Sequence, residues 1–371
     1  DDIINTSFDD EDTTYFLPRG DVSITVEKTG GKTGDNFLLV SKRVENWNGV
    51  QILLDDICEA GNEYIVSAQV KTPYYANVIL SMQYTDSTGT EHYNNLKSVI
   101  SQGSWVAIEE YKFSMPLGVT EVYIYFECGS DVDISIDDFV LKAAPEMEIE
   151  SNIPSLKEVF KDHFKFGTAV TVSEVSPKTT QKLILKHFNS ITIGNELKPD
   201  ALLDQKATIA LAEETEDYTT PVINIGAAAV ILDFCKKNDI PVRGHTLVWH
   251  SQTPTWFFKE KWDASGDWVD KDTMLKRMEN YIKTVFDTVG KSYPTINFYA
   301  WDVVNEAWED DGNPRRPGSQ EEGYSNSPWV KIFGDNSFIK YAFQFAKKYV
   351  MKGCKLYYND YNEYISGKTK A

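Results

Sequence analysis

The residues best suited to chemistry lie in short motifs flanked by aromatics. Trp301–Trp308 reads WDVVNEAW, and its Glu306 follows a mostly apolar run. A carboxyl emerging there into a cleft beside aromatic side chains is desolvated, which favours the protonated, proton-donating form. An exposed loop glutamate is the alternative that local sequence leaves open. His245 and His250 stand on HTLVWH with Trp249 between them. Zinc ligation is one reading of that pair. Residues five apart on a straight strand point to opposite faces, however, so shared coordination is disfavoured. Hydrogen bonds from imidazole to hydroxyls, or to a neighbouring carboxylate, suit the pair better. NELKPD (Asn195–Asp200), Gln252, Asn305, Asn359 and Tyr361 add amides, an ammonium and a phenol. Serine nucleophile elbows, phosphate loops and dinucleotide fingerprints are absent from the sequence.

A second group lies nearer the N-terminus. Tyr125 and Glu127 alternate on YIYFE and so share one face of a strand. With Trp47 and Tyr93 they would set one acceptor carboxylate among aromatic platforms. A flat apolar ring with a polar tip suits the alternating CH and OH faces of a sugar. For each aromatic alone, core packing is the competing reading.

Two kinds of element must position these groups. Before Ala143–Asn152, short β-rich runs alternate with turn signals: Ser23–Lys28, Asn36–Val40, Glu63–Val70, Asn77–Thr85, Glu121–Glu127 and Val132–Leu141. That spacing predicts an antiparallel sandwich over residues 1–148. After the linker the rhythm becomes strand, then helix, over residues 149–371. Strand candidates are Phe164–Val170, Ser190–Leu197, Pro241–Trp249, Ile296–Val304 and Lys355–Tyr361. Helical patterns lie between them, as at Thr273–Val289, where Leu275, Met278, Ile282, Val285 and Phe286 share a face. Repeated βα units predict a parallel sheet covered by helices, and a (β/α) barrel fits best. The polar motifs then fall at the C-terminal ends of the second to fifth strands, on the face where such barrels keep their chemistry.

Composition narrows the partners. A chain of 371 residues is long enough for two domains. A net charge of -19 argues against nucleic acid and against anionic membranes, and suits a neutral polymer. The four cysteines show no metal-ligand spacing. Free buried thiols are expected, with a Cys58–Cys128 bridge the disfavoured alternative. No run of 18 apolar residues exists, which argues against a membrane span. A chain beginning at Asp1 without Met reads as a trimmed secreted protein.

Taken together, NELKPD, GHTLVWHSQTPTWF (Gly244–Phe257), WDVVNEAW and LYYNDYN (Leu356–Asn362) resemble glycoside hydrolase family 10, in order and from about Asn152 onward. The resemblance implies a (β/α)8 barrel and a retaining endo-1,4-β-xylanase that needs no cofactor. It makes Glu306 the acid/base and Asn305 a ligand of the sugar 2-hydroxyl. Asn195, Lys198, His245, Trp249, His250 and Gln252 would line the subsites before the cleaved bond, with Asn359 and Tyr361 near the reaction centre. PRGDVSITVEKTGGKTG (Pro18–Gly34), NWNG (Asn46–Gly49), YIYFE and DISIDDF (Asp133–Phe139) resemble carbohydrate-binding module family 22, a jelly-roll sandwich that binds xylan. By that likeness Arg19, Trp47, Tyr93, Tyr125 and Glu127 form a ligand cleft. A structural calcium would fall to Asp9, Asp10 and Asp138. Xylan and xylo-oligosaccharides are the expected partners of a secreted, extracellular monomer.

Two departures from the family pattern matter. Gly194 stands where the family has Glu, so one hydrogen bond to a distal sugar is expected to be missing. The family's nucleophile segment, on a later strand, has no counterpart after Asn362. A retaining mechanism needs two carboxyls about 5–5.5 Å apart. Five of eight βα units and one carboxyl predict a piece of a longer protein that is inactive alone. A carbohydrate-binding protein without hydrolysis, and a related β-glycanase acting on glucan, stay open.

Overall fold

The computed structural model describes residues 2–371. The chain divides into two compact units. One runs to Glu150 and takes in Ser173–Lys182; the other comprises Ser151–Val172 and Leu183–Ala371.

The first unit is an antiparallel β-sandwich. Its strands are β1 (Asp2–Thr6), β2 (Leu17–Arg19), β3 (Ser23–Glu27), β4 (Phe37–Ser41), β5 (Gly49–Leu53), β6 (Glu63–Lys71), β7 (Ala76–Thr85), β8 (Glu91–Ser101), β9 (Val106–Ser114), β10 (Thr120–Cys128) and β11 (Ile134–Ala143). One sheet runs β3-β4-β11-β6-β9 with β1 also on β11, and the other runs β2-β5-β10-β7-β8. Strand β6 shows why the sheets pack: Tyr64, Val66, Ala68 and Val70 are buried while their neighbours are half-exposed. Leu38, Val66 and Ile136 of one sheet join Val50, Leu80 and Ile124 of the other in a single core. Each such side chain contributes about 1.5–3 kcal/mol by leaving water. Strands β1, β2, β5, β8 and β9 were not among the expected ones, although β5 does alternate, with Val50 and Ile52 buried and Gln51 and Leu53 half-exposed. Strand β8, EHYNNLKSVIS, pairs only with β7 and leaves almost every side chain partly in solvent, so no apolar period marks it.

The second unit carries five parallel strands in chain order: β12 (Gly167–Val170), β13 (Ser190–Ile193), β14 (Val242–Trp249), β15 (Phe298–Asn305) and β16 (Lys355–Asn359). Helices Gln205–Thr215, Ala229–Lys237, Lys271–Ser292 and Phe338–Tyr349 lie between them in the chain. Asp270 starts the longest of these by accepting the Thr273 N–H at 2.7 Å. Pro294 follows its last turn, and the residue before a proline avoids helical geometry. The buried stripe is Met274, Arg277, Met278, Tyr281, Ile282, Val285, Phe286 and Val289. Leu275 is only half-buried, so the face is rotated from the expected one and includes a cation. The Arg277 guanidinium stacks 3.6 Å above the Trp262 ring and donates to the carbonyls of Tyr218, Phe257 and Lys259. Between sheet and helix, Trp301 meets the edge of Phe286 at 5.1 Å. Gly244 admits it, because a Cβ there would lie 2.1 Å from the Trp301 ring.

No helix among the described residues is long and apolar enough to cross a membrane. All four cysteines are free thiols. Burial pushes Cys58 and Cys235 up to about 12, and Cys354 to about 11.

Candidate active site and sugar-binding cleft

Parallel strands end on one edge of their sheet, and the polar motifs of the second unit gather there. Lys198, just after β13, is buried and donates to Asn195 Oδ1 and Gln252 Oε1, each at 2.8 Å. Its ammonium lies 5.1 Å from the centre of the Trp249 ring. Burial lowers the Lys198 pKa, and Asp200, Glu306 and Glu196 oppose that shift. Gln252 is fixed from its other end, donating to Asp200 Oδ2 at 3.3 Å. The Trp249 indole N–H then donates to Glu306 Oε2 at 3.0 Å. Asn305 accepts from the Asn359 amide at 2.8 Å.

Glu306 sits in the left-handed region at φ 52°, unusual for a residue with a side chain. Such a conformation costs about 1–3 kcal/mol and persists only where its surroundings enforce it. Here its N–H donates to Asn359 O at 2.9 Å and its carbonyl accepts Arg315 Nε at 2.5 Å. Next along, Ala307 N–H donates to the Tyr358 hydroxyl at 3.0 Å. The buried Arg315 also donates to Glu309 and to the Tyr361 hydroxyl, at 3.3 and 3.4 Å.

The two histidines have separate environments, as strand geometry requires. His245 Nδ1 lies 2.9 Å from Asp302 Oδ2, and Arg243 forks onto the same carboxylate. A neutral ring therefore carries its proton on Nδ1 and offers Nε2 as an acceptor. His250 is buried against the Trp249 edge, and its Nδ1 has no partner. Burial pushes its pKa down to about 3, with Arg315 and Lys368 adding cationic repulsion, so it is neutral.

In the sandwich, a cleft of about 550 Å³ is lined by Arg19, Gly20, Trp47, Gln51, Tyr93, Asn95, Tyr125 and Glu127. The structure thus brings together all five residues expected there. Register explains the gathering: Tyr125 pairs with Gln51 and Ser81, Ser81 with Asn95, and Gln83 with Tyr93. Arg19 lies 3.7 Å over the Tyr125 ring, and its Nη1 donates to Gln51 at 3.0 Å and Gln83 at 2.7 Å. Burial raises the Tyr125 phenol, and Glu127 adds to that, so it remains a donor. Gly20 is required by its φ of +80°, and a Cβ there would also press on Trp47 and Asn48.

The three aspartates named for calcium each accept hydrogen bonds from the protein. Asp9 accepts from Ser7 and Asn36, Asp10 from the Asp12 N–H, and Asp138 from the Thr33 hydroxyl. Asp10 is taken up in a local turn, Asp9 and Asp138 partly or wholly by residues distant in sequence, and no group of three or more His, Cys, Asp or Glu is poised for a metal among the described residues. The buried carboxylate of that region is Asp137, taken up by three backbone N–H groups.

Sequence reasoning missed Asp302, Arg315, Gln51, Gln83 and Asn95. Asp302 was discoverable: it is a lone carboxylate in an apolar strand, in register with His245. Arg315 gave no signal, because it acts mainly through a backbone carbonyl.

Residues 155–371 match glycosyl hydrolase family 10, and residues 1–133 match a carbohydrate binding domain. Endo-1,4-beta-xylanase Y of Acetivibrio thermocellus is 38% identical over 94% of this chain and 32% of its own length. Endo-1,4-beta-xylanase A of Thermotoga maritima is 35% identical over 94% of this chain and 31% of its own. The chain therefore spans about a third of the length of these curated relatives. A crystal structure of the CBM22-1-GH10 modules of Clostridium thermocellum endo-1,4-beta-D-xylanase 10B with xylohexaose is 34% identical, with a TM-score of 0.57, covering 100% of this chain and 71% of that one. By sequence match and by fold, the chain belongs to glycosyl hydrolase family 10, with a carbohydrate binding domain ahead of its family 10 domain.

Proposed function

We propose that this chain is the xylan-binding and front catalytic part of an endo-1,4-β-xylanase acting with retention of configuration. The observation that carries the proposal is the Glu306 carboxyl, fixed by the Trp249 indole at the strand ends where Asn195, Lys198, Gln252, Asn305 and Asn359 converge. The relatives' names, and the xylohexaose bound to the related modules, favour xylan as the substrate. His245, His250 and Tyr361 complete the proposed subsites. Gly194 leaves the distal one poorer by a hydrogen bond, and a Cβ there would meet Thr171 and Val170 at 3.3 Å. Arg19, Trp47, Tyr93, Tyr125 and Glu127 would hold the polymer in the sandwich cleft.

The five βα units are read as the first five of an eight-unit barrel, and the remaining units would supply the nucleophile. A carboxylate there attacks the anomeric carbon while Glu306 gives its proton to the departing glycosidic oxygen. Glu306 then takes a proton from water, which cleaves the glycosyl ester and regenerates both carboxyls. A polymeric substrate places such an enzyme outside the cell, and a monomer suffices for this chemistry.

The test is proton NMR of xylo-oligosaccharide hydrolysis by the full-length protein. The β-anomer should form first. First appearance of the α-anomer would overturn retention, and xylan binding without hydrolysis would leave only a binding protein.

A further inference from the structure

The Glu127 carboxylate of the sandwich cleft is held by a side chain that cannot reach a ligand. Ser81 Oγ lies 2.7 Å from Glu127 Oε1 and 3.0 Å from Asn95 Oδ1, yet Ser81 exposes none of its surface. A hydroxyl has one proton, so it cannot donate to both oxygens. An ionised carboxylate is the stronger acceptor, and its contact is the shorter. The second contact is then satisfied only if Asn95 presents its amide nitrogen, a rotation by which O and N exchange places without other change. The result is a one-way chain: Asn95 N–H to Ser81 Oγ, and Ser81 O–H to Glu127.

We propose that Ser81 is a positioning residue for sugar recognition, relaying a hydrogen bond from Asn95 that fixes Glu127 as the acceptor of the cleft. The inference rests on the reading of this cleft as a xylan site. In the relay, Glu127 turns its other oxygen toward ligand hydroxyls, and the Asn95 carbonyl becomes a second acceptor on the cleft surface. Arg19, held by Gln51 and Gln83 through Nη1, lines the same cleft and is its cationic donor. A sugar thus meets both acceptors and a donor in one cleft. Since Ser81 is fully buried, anything it does for binding it does through its neighbours.

The test is calorimetric titration of xylohexaose into the full chain carrying Trp249→Ala, which removes the platform of the other cleft. Adding Ser81→Ala should weaken Kd by about 10-fold, the size expected for one hydrogen bond to a charged group. Ser81→Thr, which keeps the hydroxyl, should restore most of that affinity. In a Glu127→Gln background the Ser81→Ala loss should shrink to less than about 2-fold, since distant, independent effects would simply add. Asn95→Asp, at the surface and safe for folding, puts an acceptor where the chain needs a donor, and should also weaken binding only while Glu127 is present. An unchanged Kd for Ser81→Ala, or an undiminished loss in the Glu127→Gln background, would overturn the relay alone. Failure of the Trp249→Ala chain to bind xylohexaose would overturn the reading of the cleft and the relay with it.

Discussion

The sandwich cleft and the strand-end cleft each set a carboxyl beside an aromatic ring, but they hold it differently. In the sandwich, Tyr125, Ser81, Gln83, Tyr93 and Asn95 sit within paired strands, and antiparallel register, shifted between Leu80 and Ser81 where β7 pairs with β8, spaces them. In the parallel sheet, Glu306 and Gln252 stand just past strand ends with left-handed backbone. Register gives an ordered, open face at little conformational cost. Strand ends give convergence and depth, but with buried charge and backbone strain. Changes in the sandwich cleft should therefore cost affinity, and changes at the strand ends should cost rate or stability.

Glu306→Gln tests the catalytic side of that contrast most severely. In the full-length protein, xylan hydrolysis should fall by about 10²–10⁴-fold. Hydrolysis of an aryl xyloside, whose leaving group needs no proton, should fall far less. Retention on a xylan-affinity gel should be unaltered. Equal losses on both substrates would break the assignment of Glu306 as proton donor.

Each unit also contains a buried arginine that gathers backbone carbonyls. Arg277 collects three, and Arg43 collects those of Asn46, Asn48, Cys128, Ser130 and Val132. Replacing either by Met keeps the volume and strands the acceptors, at about 4 kcal/mol. Denaturant unfolding should show the loss for both. Only Arg43→Met should also weaken xylan retention, since Asn46 and Asn48 flank Trp47. Equal effects on retention would blur the distinction between the two units.

His250 gives the strand-end cleft an acid sensitivity of its own. Its pKa is about 3 when folded and near 6.5 when unfolded. Below pH 6.5 the unfolded chain takes up a proton that the folded chain refuses, so stability drains away as pH falls toward 3. By pH 4 the loss from this group is about 3 kcal/mol. His250→Leu should show a correspondingly smaller fall in unfolding free energy between pH 7 and pH 4. An identical pH dependence would mean the imidazole is not kept neutral.

The sequence was most legible where local pattern and structure coincide. Apolar alternation marked β6, β7, β10 and β11, and the strand-end motifs carried Asn195, Lys198, Trp249, Gln252 and Glu306. Strand β8 was hidden because an edge strand need bury neither face. Arg43, Arg277 and Arg315 were hidden because their main partners are carbonyls, which carry no sequence signature. Asp9, Asp10 and Asp138 were named by family likeness rather than by any local pattern, and the hydrogen bonds they accept come from Ser7, Asn36, Asp12 and Thr33.

The smallest expected effect bears on the open face of the sandwich. Trp47 is about half-exposed (47%), on a loop rather than in a strand, so its removal should leave no core cavity and little change in stability. Its ring nonetheless lies close to Gly20, where a Cβ would come within 3.0 Å of it. Trp47→Ala should weaken xylan retention by about 10-fold, the value of one aromatic platform against a sugar face. Gly20→Ala should act in the same direction without removing the ring, since its Cβ would intrude on Trp47 and Asn48. Hydrolysis of short soluble xylo-oligosaccharides by the full-length protein should be unchanged in both variants, while action on insoluble xylan declines. If Gly20→Ala binds normally while Trp47→Ala does not, the ring matters but its fixed position does not. The sandwich cleft would then be adaptable as well as open, and the strand ends alone would depend on geometry imposed in advance.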